Sequence, residues 1–153
     1  MLEDPIQTAE ALIADGRASE AARDLRARLN AGRGGLLARI TLVKALLAAE
    51  DTAGALAEAR EAVSLNPNIA PAVLALGEAL LAADLLPAAI AELQRALRLD
   101  PGLSRARALI ASAWLKAGEA DKALEALREL DDPPATMVAA AKALKTAPRS
   151  DPG

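Results

Sequence analysis

The chain has 153 residues, about the length of one domain, with 53% apolar residues, 25% charged residues and a formal net charge of −3. One Trp and no Phe, Tyr, His or Cys remove base-stacking aromatics, disulfides, thiolate chemistry and the commonest metal ligands and general bases. The mild acidity argues against capture of nucleic acid or of a membrane surface by charge.

Alanine and leucine carry the hydrophobicity, and both favour helix, so an all-α fold is expected. The N-terminal "MLEDPIQTAEAL" places acids where a secretory signal has a basic region. A first helix runs from there to the break "DGRAS" at 15–19, and a second to "NAGRGG" at 30–35. The third carries Leu42, Leu46 and Ala49 on one face and breaks at "EDT", 50–52; the fourth stops at Asn66–Pro67. Leu76, Leu80 and Ala83 repeat that face, "ADLLP" at 83–87 repeats the break, and Asp100–Pro101 repeats the stop. The apolar stretch 70–91 is interrupted by Gly77, Glu78, Asp84 and Pro87, so it is not expected to span a membrane. A cytoplasmic location is the expectation. The break "GEAD" at 118–121 divides a fourth pair. Gly16 and Gly118 suit helix C-termini, Ser19 and Asp121 helix starts, and Pro87 a first turn. After Pro134, the residues Met137, Val138, Ala141 and Leu144 share one face of a short helix, expected to cap the last pair, with folding into the groove as a pseudo-ligand as the alternative. The polar "TAPRSDPG" that follows is expected to be disordered.

These pairs recur every thirty-four residues. Segments 36–69 and 70–103 share thirteen identities without a gap, among them "ALLAA" at 45–49 and 79–83. An invariant column reads Ala21, Ala55, Ala89, Ala123. A second, Leu12, Leu46, Leu80, Trp114, stays large; a third reads Leu25, Ala59, Leu93, Leu127. Small and large residues at fixed places are what close packing of stacked helix pairs requires. This pattern resembles the tetratricopeptide repeat. Val73, Leu76, Gly77, Leu80, Ala89, Leu93, Ala96 and Pro101 fall on the eight signature places of that family. Arg28 departs from the small residue expected at its place, and "DDPP" cuts the fourth copy short. The resemblance implies a right-handed α-solenoid: four repeats over 2–132 (2–35, 36–69, 70–103, 104–132), a capping helix over 133–146 and a tail over 147–153.

No residue pattern points to catalysis or to a cofactor. The run "AGRGG" at 31–35 lacks the Lys-Ser/Thr and the preceding strand of a phosphate loop, and reads as an inter-repeat turn. Glu50–Asp51 and Asp131–Asp132 read as loop charge, with weak divalent-ion binding as the alternative. Arg17, Arg23, Arg26, Arg28 and Arg33 interleave with acids, as a solvated face does; an acidic partner or a phosphate backbone is the alternative. Trp114 reads as core, with ligand contact as its alternative.

The resemblance further implies that first helices line a concave groove and supply its ligand contacts. Mapped here, these are Ile6, Glu10 and Ile13; Leu37, Ile40, Lys44 and Leu47; Leu74, Glu78 and Leu81; and Arg105, Ala108, Ser112 and Leu115. Ile40, Leu74 and Ala108 stand where chaperone-binding members of the family carry a polar carboxylate clamp, so that partner class is not expected. Ile40, Leu47, Leu74 and Leu81 are expected to form one exposed apolar strip, with packing between neighbouring first helices as the alternative for Leu47 and Leu81. The function expected is a non-enzymatic scaffold that holds an apolar peptide or an amphipathic helix. The alternatives are an N-terminal segment of a larger enzyme or transport assembly, and a self-associating module.

Overall fold

The computed structural model describes residues 3–148. Position 2, where the first repeat was expected to begin, and 149–153 of the expected tail lie outside them. Among the described residues the chain is helical, with no strand: α1 (Pro5–Ala14), α2 (Ala18–Asn30), α3 (Gly35–Ala48), α4 (Thr52–Leu65), α5 (Ala70–Ala82), α6 (Leu86–Leu99), α7 (Ser104–Lys116), α8 (Ala120–Arg128) and α9 (Ala135–Thr146). The odd-numbered helices form one layer, each touching the next odd one; every even-numbered helix packs between two of them. The architecture is an all-α solenoid of helix pairs.

Local chemistry sets the boundaries. The Asp4 carboxylate accepts from the Ile6 amide at 2.9 Å, with Pro5 in the first turn of α1. Asp51 does the same for α4, from the Gly54 amide at 3.0 Å. The turns inside successive pairs share one backbone conformation: φ is 78° at Gly16, 62° at Glu50, 60° at Asp84 and 78° at Gly118. This left-handed geometry closes the first helix of each pair. Glycine meets it without a Cβ clash in the outer pairs, whereas Glu50 and Asp84 adopt it under strain.

Packing explains the repeat columns. Ala21, Ala55, Ala89 and Ala123 are all fully buried, at 0% exposure. We expect Ala89→Leu to cost about 2 kcal/mol by overpacking, read as a lowered urea midpoint at unchanged slope. The third column is matched by a complementary one. Where α6 carries Leu93, α5 carries Gly77, and a Cβ there would lie 2.6 Å from Leu93 Cδ2. The equivalent pairs are Ala9 with Leu25, Val43 with Ala59, and Ala111 with Leu127, so the pair with the small residue on its second helix has the largest on its first.

The C-terminal end keeps the packing but shortens the period. Ala45, Ala79 and Ala113 are buried in successive first helices, and Ala141 is buried in α9, where it meets Ala111, Ala123 and Leu127. Met137 and Val138 pack on the same cluster. Leu144, expected to share this inward face, is instead 36% exposed. It sits beside Gly118 and Glu119 of the α7–α8 turn and Asp121 at the start of α8, which offer it little apolar surface. Trp114 is half-buried and packs against all three core clusters, with the Lys122 ammonium 4.5 Å from its ring centroid. Of the arginine run, Arg17 pairs with Glu20 at 2.7 Å, Arg23, Arg26 and Arg33 are exposed, and the half-buried Arg28 has a buried Nε without a hydrogen-bond partner.

Candidate functional site

The inner faces of α3, α5 and α7 enclose a groove of about 510 Å³. Six of the residues mapped from the repeat meet in it: Leu37, Ile40, Lys44, Leu74, Glu78 and Arg105. Val43, Pro71 and Ala75 complete the lining. Sequence reasoning missed these three, although Pro71 was within reach, since it stands one period after Leu37.

The apolar strip is broken by depth. Leu37 is 59% exposed, whereas Ile40 is 9% and Leu81 7% exposed. Leu47 is half-buried against the main core, and Leu74 against Leu93, Ala106 and Ile110. Ile40, expected on an exposed strip, therefore belongs largely to the core, as does Leu81. Both side chains join the main core cluster, among the buried alanines and leucines of α2 to α6. Leu37, in the first turn of α3, lies outside that cluster and reaches solvent.

The remaining mapped residues lie outside this groove. Ile6 and Ile13 of α1 are half-buried against the core, and Glu10 reaches across to Lys44 at 3.9 Å. Ala108 and Ser112 of α7 are half-buried, and Leu115 packs toward α8 and α9.

The polar rim has its own order. Arg105 Nε donates to Glu78 Oε1 at 2.6 Å, linking α7 to α5. Glu78 is the deeper partner, at 14% side-chain exposure against 65% for Arg105. The hydrogen bond from Arg105 to Glu78 and the carboxylate's charge push the guanidinium still higher than its ordinary range, with burial opposing slightly. That range is far above neutrality, so Arg105 stays charged throughout ordinary conditions. The groove thus pairs an apolar floor with two exposed cations. Among the described residues, no cluster of three or more metal-ligating side chains occurs, and no helix is long and apolar enough to cross a membrane.

No protein-family model matches the sequence, and no curated protein matches it significantly. Solved structures do. A thermophilic TPR protein of Thermus thermophilus, TTC0263, is similar at 22% identity and a TM-score of 0.77, over 92% of this chain and 79% of that one. YrrB, described as a TPR protein with an unusual peptide-binding site, is similar at 23% identity and a TM-score of 0.70, over 91% and 71%. The O-GlcNAc transferase of Thermobaculum terrenum is similar at 23% identity and a TM-score of 0.63, over 87% of this chain but 28% of that one. The chain has the fold of the tetratricopeptide-repeat proteins.

Proposed function

We propose that the protein is a non-enzymatic interaction scaffold that holds an apolar segment of a partner protein, extended or helical, in the groove between α3, α5 and α7. The observation that carries this reading is Leu37: a leucine 59% exposed on the rim of a groove floored by Ile40, Pro71 and Leu74. Apolar side chains in a concavity bind by giving up their water, and each buried leucine-sized anchor contributes roughly 1.5–3 kcal/mol. Two or three anchors are enough for micromolar affinity after the costs of association. The peptide-binding site of YrrB, on a similar fold, supports the reading.

Leu37→Ser tests it, because the side chain is exposed and its loss leaves the core intact. Capture from native cell extract should yield partners that the variant holds about ten-fold more weakly, at an unchanged melting temperature. Partners held equally by both proteins would place binding on another surface. A second reading, a repeat segment of a larger enzyme, draws support from the transferase neighbour, whose chain extends far beyond the match.

A further inference from the structure

The charged rim of the groove narrows the partner. Three charged side chains line it, Lys44, Glu78 and Arg105, for a net charge of +1. They are not equally committed. Glu78 is mostly buried and accepts from Arg105 Nε at 2.6 Å. Arg105 is 65% exposed, and its hydrogen bond to Glu78 uses Nε, leaving the terminal nitrogens of the guanidinium without a hydrogen bond among the described residues. Lys44 is 54% exposed, and its carboxylate neighbour Glu10 stands at 3.9 Å, beyond hydrogen-bond length. The anion is therefore engaged while both cations have donors to spare.

From this imbalance we propose that the segment held in the groove is acidic as well as apolar: an internal stretch with apolar side chains against Leu37, Ile40, Pro71 and Leu74 and an Asp or Glu side chain on the free edge of Arg105. The inference rests on the groove reading above. A guanidinium presents a planar fork of donors that matches a carboxylate, and one already held by Glu78 is pre-oriented to use its remaining edge. A segment carrying Lys or Arg at that place meets the guanidinium's own sign, with Glu78, the acid beside it, already engaged. The exposed rim keeps the ionic contribution modest and sensitive to salt.

The test is a library of random dodecapeptides displayed with both ends blocked, selected on the full chain, on Leu37→Ser and on Arg105→Gln. Arg105→Gln keeps a hydrogen-bond donor for Glu78 but removes the charge, and a melting curve confirms that the variant is folded. Selected peptides should combine two or more apolar residues with an Asp or Glu, and should be lost on Leu37→Ser. Changing that acid to its amide should weaken binding to the unaltered chain about two- to five-fold, with little effect on Arg105→Gln. Apolar peptides that depend on Leu37 but show no acidic preference would overturn this inference and leave the groove reading standing. Peptides indifferent to Leu37→Ser, or no enrichment at all, would overturn both.

Discussion

Gly77→Val should destabilise the protein by about 3 kcal/mol, and Leu93→Ala by a similar amount, yet the double variant should lose no more than either alone. The first substitution forces a branched side chain into the space where a Cβ already comes within 2.6 Å of Leu93. Leu93 is fully buried, so it cannot swing away. The second leaves a cavity beside a glycine, where nothing can fill it. Together they copy the arrangement of the preceding pair, Val43 with Ala59, which the fold accepts. Chemical melts of the four proteins give the coupling directly. Additive losses would show that the first-helix and second-helix columns do not compensate each other.

Ile40→Glu should cost about 2–4 kcal/mol, whereas Leu37→Glu, on the same helix and the same groove, should stay within about 0.5 kcal/mol. Ile40 is 9% exposed and Leu37 59%, so only the first substitution takes a carboxylate out of water. Burial raises the pKa of such a group above its unfolded value. The penalty is then full at pH values above the folded pKa and shrinks as pH falls through it. The gap in melting temperature between Ile40→Glu and the unaltered chain should therefore narrow from pH 7 toward pH 5. A constant gap would mean that the new side chain reaches solvent and that Ile40 is a rim residue like Leu37.

The solenoid was legible in the sequence because its packing rule is discrete. Where two helices approach closely, only alanine-sized side chains fit, and Ala21, Ala55, Ala89 and Ala123 record that rule four times. The site was legible only in part. Register places Ile40 and Leu37 on the same inner face, but their depth depends on how the neighbouring helices pack around each, which the pattern of one helix does not state. The position of Leu144 was hidden for a related reason, since it depends on what the α7–α8 turn places beneath it. The strained turns at Glu50 and Asp84 were masked by their chemistry: nothing local in an acidic residue announces a left-handed backbone, although Gly16 and Gly118 hold the same places one period away.

Among the described residues no helix touches another more than two places away along the chain. Cooperativity in such a molecule is passed from unit to unit, so the two ends can open while the middle stays closed. The C-terminal end is the weaker anchor, because α8 has nine residues and its cluster holds Leu127 as the one large buried side chain. Amide hydrogens should exchange first in α8 and α9 and last in α5, where nine residues are buried. The groove is walled by α3, α5 and the start of α7, away from α8 and α9. A binding surface placed there outlasts the partial unfolding that shortens the protein around it, and a partner seated across three first helices would hold together units that otherwise communicate only with their neighbours.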